Sequence, residues 1–128
     1  FDEHNKTKEF DQTLEQEGEQ KAEIRQEMID HIRSIKDEMQ LLSEEGKKKK
    51  QKELDEKINA LQKFDAETRQ AMRKKRDDMV RVILDDIKEV VGEYGKKNGY
   101  TLILNDRVVI YSDDTNDITD EIIAAVNK

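Results

Sequence analysis

The feature that most constrains this chain is the absence of proline from all 128 positions. Proline lacks a backbone donor and its ring clashes with the preceding helical turn, so a chain without proline permits very long uninterrupted helices. From Asp2 to about Leu42 the sequence is rich in Glu, Gln, Lys and Asp, and apolar residues recur at helical spacing. This stretch is predicted to form one long helix.

A second helix is predicted to pack against the first. Apolar residues four, three, four and three positions apart form the clearest periodic stretch: Met28, Ile32, Ile35, Met39 and Leu42. This heptad spacing is typical of a coiled-coil seam and predicts a partner helix. After Ser43, a potential N-cap, and Gly46, periodicity resumes with Leu54, Ile58 and Leu61. Residues 2–96 are therefore predicted to form an antiparallel helical hairpin, with its tip near residues 43–47.

Two features of the hairpin are candidate contact surfaces. The seam residues either pack the two helices together or face a bound client, and packing is favoured. Four consecutive lysines follow the tip: Lys47, Lys48, Lys49 and Lys50. They either contact anionic lipid or lipopolysaccharide at its periphery or form a solvated helix face.

The spacing of the apolar residues changes from helical to strand-like at the end of the helical hairpin. Gly99 can take the left-handed conformation that stops a helix. Two short β-branched and aromatic runs, residues 100–104 and 108–111, are joined by Asn105 and Asp106, which predicts a β-hairpin. Thr119 is the predicted cap of a final short helix, residues 120–127. The predicted fold class is mainly α with a small β body, and residues 97–128 form that body.

A lone two-stranded hairpin is marginally stable, so further strands are expected from other subunits or from a segment preceding Asp2. The residues assigned to this oligomerisation body are Tyr100, Leu102, Leu104, Val108, Ile110 and Tyr111. Because residue 1 is Phe1 and not methionine, an export signal is expected to have been removed.

Composition excludes several classes of function. Charged residues make up 43% of the chain and hydrophobic residues 34%, which suits an elongated molecule better than a compact globule. The net charge of −7 argues against nucleic acid as a partner, and the absence of cysteine removes thiolate chemistry. His4 and His31 have no evident metal-binding partners in the sequence. No membrane span, cofactor, metal or catalytic site is predicted.

The tail resembles the Skp/OmpH chaperone family. A glycine and hydrophobic strand at residues 99–104, a second strand ending at Tyr111, and Asp117, Ile118 and Thr119 before the last helix occur in the family's order. The resemblance implies a homotrimer joined through a β body, with helical tentacles around a cavity that holds unfolded outer-membrane proteins in the periplasm without ATP. It also implies an additional first strand. This chain is acidic, whereas the best-known member is basic.

Two other functions are compatible with long helical hairpins. A prefoldin-like cytosolic holdase also combines helical hairpins with a β body, but its strands lie between the two helices, whereas here the predicted strands follow both. A structural coiled-coil adaptor would bind one folded partner and would protect no unfolded client.

Overall fold

A computed structural model describes residues 3–128 of the chain. Two long helices dominate it, α1 (Asn5–Met39) and α2 (Glu44–Asn98), and a short helix, α3 (Thr119–Val126), comes last. Two single-turn 3-10 helices, Asp106–Val108 and Asp114–Asn116, lie between α2 and α3. The two long helices and the final short helix were predicted from the sequence in this order. The first helix was predicted to start at residue 2, which lies outside the described residues.

The internal contacts divide the chain into two compact units. The hairpin unit is Thr13–Arg76, and the terminal unit combines the residues up to Gln12 with Asp77–Lys128. The long helices therefore contribute to both units. The predicted boundary at residue 97, between a tentacle and an oligomerisation body, remains a prediction.

Within the hairpin unit the two helices run antiparallel. Glu38 pairs with Lys50, Arg25 with Asp65, and Glu17 with Lys75. Residues of α1 progressively farther from the turn thus meet residues of α2 progressively farther from it. This order of contacts is possible only for antiparallel helices.

The core of the hairpin unit is small. Ile32 and Ile35 of α1 and Leu54 of α2 are buried, and three partly buried side chains pack against them: Met39, Ile58 and Leu61. Burial of one such aliphatic side chain contributes about 1.5–3 kcal/mol. The seam is thus held by a short apolar stripe, and most other positions of both helices are exposed.

The turn of the hairpin covers residues 40–43, slightly earlier than the predicted tip. Ser43 is the N-cap of α2: its carbonyl oxygen accepts the Lys47 N–H at 2.8 Å, and its hydroxyl lies 3.4 Å from the Gly46 nitrogen. Gly46 is already helical. A Cβ there would lie 3.2 Å from the Leu42 Cβ, so the glycine allows the turn to pack closely on the first helical turn.

Helix α2 ends at a glycine, as predicted. Gly99 has a φ of 76°, and the Tyr100 N–H donates to the Gly95 carbonyl oxygen at 2.9 Å. These are the features of a Schellman motif, in which the residue after the left-handed glycine bonds back to the last helical turn. The motif reverses the chain onto the end of α2, where Ile103 approaches Gly95.

The predicted β-hairpin is wrong, and with it the β body of the predicted fold class. Residues 100–111 contain no strand, and their only regular element is the turn Asp106–Val108. Both turn types favoured in two-residue hairpins need positive φ at the first central residue, whereas Asn105 has a φ of −71° and its side chain accepts the Arg107 N–H. The described chain also supplies no neighbouring strand for this edge, and a lone pair of strands is marginal.

The cap of the last helix also differs from the prediction. Helix α3 begins at Thr119 itself, and Asp117 supplies the side-chain acceptor. Asp117 Oδ1 accepts the Thr119 N–H at 3.0 Å and the Thr119 hydroxyl at 2.5 Å. These two hydrogen bonds hold the pKa of Asp117 below its usual value.

Candidate functional site

The predicted seam residues come together in the hairpin unit. Six of them form or adjoin its buried cluster: Ile32, Ile35, Met39, Leu54, Ile58 and Leu61. Met28 is half-buried and lies outside that cluster. The three most buried of these side chains have too little accessible surface to touch a client while the hairpin is closed. The other half of the hypothesis, client contact by the partly buried members, remains a prediction.

The tail residues form no cluster of their own. Tyr100 stacks on Tyr94 of α2, with 6.1 Å between ring centroids and 16° between ring planes. The other predicted oligomerisation residues are exposed: Leu102, Leu104, Val108, Ile110 and Tyr111. Ile110 is fully accessible, at 106% of its reference area. The terminal unit therefore presents a continuous stretch of chain with several large apolar side chains in water.

A shallow groove lies where the tail folds back on α2 in the terminal unit. It encloses about 410 Å³, and its apolar wall includes Ile87, Val91, Tyr100, Leu102 and Ile103. Val82 and Leu84 are also exposed in this unit. Exposed apolar groups grouped in this way are typical of surfaces that another polypeptide covers.

The four tip lysines are not equivalent. Lys50 pairs with Glu38 at 3.1 Å and with Glu53 at 3.2 Å, and these hydrogen bonds raise its pKa. Lys47 lies 3.8 Å from Glu44. Lys48 and Lys49 are exposed, and neither forms an ion pair with any residue in the described range 3–128. These two carry the charge that is available to an external anion.

His4 is a structural residue that the sequence did not reveal. Its imidazole is only 3% exposed, and Nε2 lies 2.6 Å from Asp86 Oδ2. Its Nδ1 lies 3.0 Å from the Lys6 backbone nitrogen. The sequence analysis did not predict this contact, because the two partners are 82 residues apart in the chain and no local pattern spans that separation. The contact joins the start of α1 to α2 within the terminal unit.

The start of α1 is also tied to the end of α3 in the terminal unit. The Asn5 N–H donates to Asn127 Oδ1 at 2.8 Å, and the Asn127 side-chain amide donates to the Glu3 carbonyl oxygen at 2.9 Å. The Asn127 side chain therefore ties the end of α3 to backbone groups of Glu3 and Asn5.

Two other kinds of site are absent from the described residues. Residues 3–128 contain no group of three or more His, Cys, Asp or Glu side chains placed to hold a metal ion. Over the same residues, no helix is both long and apolar enough to cross a bilayer.

Comparison with known proteins gives one informative match. No curated protein matches the chain significantly. The family model described as "Outer membrane protein (OmpH-like)" matches residues 1–126, which is nearly the whole chain. The match covers both long helices, the tail and α3. The chain therefore belongs to the OmpH-like family.

Proposed function

We propose that this protein is an ATP-independent holdase chaperone that binds unfolded outer-membrane β-barrel proteins in the periplasm and prevents their aggregation. The observation that carries the proposal is the family match over residues 1–126, since the OmpH-like family is of the periplasmic chaperone type. In this role the protein binds and releases clients without a catalytic step.

The surface of the chain supports a holding function. The hairpin unit has a small buried stripe and long exposed faces, and the terminal unit exposes apolar side chains along its tail. Many weak contacts shield a client without fixing its conformation, and low affinity at each contact allows release.

The proposed active form is a homotrimer in which the tail residues 100–111 contact other copies and the hairpins surround the client. The support is the exposure of Leu102, Val108, Ile110 and Tyr111 in the single chain. A soluble monomer rarely leaves so many large apolar side chains in one short segment uncovered. A symmetric assembly covers the same segment of every copy.

The tip supports a peripheral contact with anionic lipid or lipopolysaccharide. Lys48 and Lys49 are exposed and form no ion pair with a carboxylate of the described residues. Replacing both with glutamine should weaken binding to phosphatidylglycerol vesicles in a flotation assay, whereas replacing the paired Lys50 should have less effect. Equal vesicle binding by wild type and the double variant would contradict this contact.

Aggregation assays test the proposed function. Several unrelated β-barrel proteins are unfolded in urea and diluted with and without this protein, in the absence of ATP, and turbidity is followed. We expect suppression of aggregation for all of them near one trimer per client. Protection of none would contradict the holdase function and favour a coiled-coil adaptor. A soluble non-barrel protein that is equally protected would contradict the preference for barrels.

A further inference from the structure

Helix α1 of the hairpin unit contains an unexplained glycine. Gly18 lies in the interior of the helix, where glycine is a poorer helix former than alanine. A Cβ built at Gly18 would meet no atom within 4 Å among the described residues. The packing of this chain therefore gives no steric reason for a glycine at this position.

The missing side chain leaves an open notch between the two helices. The notch holds about 430 Å³ and lies within the hairpin unit, with Gly18 on α1 and Phe64 on α2 among the residues that line it. The Phe64 side chain is partly exposed there. The notch is thus large enough for one side chain of another polypeptide and has an aromatic ring on its wall.

The charges around the notch are unevenly compensated. Arg25 donates from Nε to Asp65 Oδ1 at 2.9 Å, so this pair is locally neutral. Lys21 Nζ lies 5.7 Å from the centre of the Phe64 ring, and Arg69 is exposed on the rim. Neither Lys21 nor Arg69 pairs with a carboxylate in the part of the chain that the structure describes. Lys21, near the Phe64 ring, and Arg69, on the rim, are therefore available to an external carboxylate.

We propose that this notch, defined by Gly18, Lys21, Phe64 and Arg69, is a docking site for acidic, apolar segments of an unfolded polypeptide. A carboxylate of the segment contacts Lys21 and Arg69, and its neighbouring aromatic or aliphatic side chain packs on Phe64. The identity of the occupant as client rests on the proposed holdase function. The notch adds a defined contact to an otherwise diffuse client surface.

Charge complementarity selects this occupant over other anions. The chain as a whole carries a net charge of −7 and repels acidic partners at long range, so attraction is confined to cations without carboxylate neighbours. A nucleic-acid backbone requires a longer basic footprint than two side chains. A bilayer surface is flat, whereas the notch is concave. A single polypeptide segment can pair with the two cations, fit the volume of the notch and pack on its aromatic wall.

The test measures peptide binding by fluorescence anisotropy with the full chain. The probe is a fluorescein-labelled peptide of alternating glutamate and phenylalanine, and the same peptide with glutamine for glutamate serves as the uncharged probe. Arg69→Gln should raise the Kd of the acidic peptide about fivefold, the loss expected for one exposed charge contact. Arg73→Gln removes the same charge one turn later in α2 and should leave the Kd unchanged.

Filling the notch separates binding from folding. Gly18→Leu places a side chain in the open space and should raise the Kd about tenfold, the effect of losing a well-packed contact. Its thermal unfolding midpoint should not fall, because leucine is the better helix former. Gly18→Ala should have a smaller effect on the Kd and the same effect on stability.

The outcomes distinguish the notch from the proposed function. An unchanged Kd in both Arg69→Gln and Gly18→Leu, or no binding of the acidic peptide by wild type, would overturn the docking site. Protection of unfolded barrels by wild type in that case would leave the holdase function standing. Notch-dependent peptide binding without barrel protection would contradict the holdase function and keep the docking site.

Discussion

A single imidazole fixes the start of α1. His4 Nδ1 accepts the Lys6 N–H at 3.0 Å. Because an accepting ring nitrogen carries no proton, the ring proton is assigned to Nε2, which donates to Asp86 at 2.6 Å. His4 therefore acts as a helix N-cap and as a tertiary link. The bond from His4, with a further bond from Lys6, holds the pKa of Asp86 below its usual value.

Removing this imidazole should destabilise the terminal unit. His4→Ala leaves the Lys6 N–H uncapped and removes a partner of Asp86, at a cost of about 1–2 kcal/mol. Urea unfolding followed by circular dichroism measures this loss. His4→Asn is the matched control, since asparagine is a good N-cap, and it should recover part of the loss. Equal unfolding midpoints for wild type and His4→Ala would contradict the clamp.

Asp117 should give the last helix a pH-dependent contribution to stability. Its folded pKa is lowered by the hydrogen bonds from Thr119, so the ionised form is favoured in the folded state. The contribution is fully present above the unfolded aspartate pKa of about 3.9 and is lost as the pH falls through the lower folded value. A carboxyl-carbon NMR titration should give a midpoint below about 3.9 for wild type.

Thr119→Val supplies the control for Asp117. It removes the hydroxyl donor and keeps the backbone N–H, so the midpoint should rise towards the ordinary value. An identical midpoint in both proteins would show that the Thr119 hydroxyl does not stabilise the carboxylate.

At the scale of elements, the helices were predictable and the tail was not. The absence of proline and the heptad from Met28 to Leu42 predicted two packed helices because these signals are local and repeated. The tail residues have equally local strand propensity, but a strand also needs a partner edge, and residues 3–128 provide none. The Asn105 side chain instead stabilises a 3-10 turn.

Candidate sites were predictable to different degrees for the same reason. The seam was visible because its residues repeat along each helix. The notch at Gly18 and the pairing of Lys50 with Glu38 depend on which residues of α1 and α2 lie opposite each other. That register is set by the turn and by the packing of both helices, so it cannot be predicted from the sequence of either helix alone.

The glycine that ends α2 should be needed for its conformation. Gly99→Ala forces a side chain into φ of 76° and should reduce the free energy of unfolding by about 1 kcal/mol. Gly18→Ala is the control, because it changes a helical glycine and should increase stability by up to about 1 kcal/mol. Urea unfolding of the two variants should shift in opposite directions, and a shift in the same direction would contradict one of the two local structures.

At the scale of the whole molecule, the exposed tail predicts self-association. Ile110 is fully accessible in the single chain, so Ile110→Asp should change monomer folding by no more than about 0.5 kcal/mol. At a subunit contact the same change buries an unpaired charge, which costs several kcal/mol and should dissociate the oligomer. Sedimentation velocity measures the assembly, and circular dichroism checks the helices.

Leu41 offers a matched control for Ile110. It lies in the hairpin turn and is 90% exposed, so Leu41→Asp introduces the same charge at another exposed apolar position. This variant should keep the wild-type sedimentation coefficient. Loss of assembly in both variants, or in neither, would contradict the role of the tail in subunit contact.

Copies of this chain are proposed to assemble and to hold an unfolded barrel. The most direct measurement is the mass of the purified protein by light scattering during gel filtration, alone and after mixing with a urea-unfolded β-barrel protein. We expect a mass three times the chain mass of 15.1 kDa, and after mixing a second species heavier by one barrel chain. A monomer or dimer that forms no complex with the barrel would contradict both the assembly and the holding function.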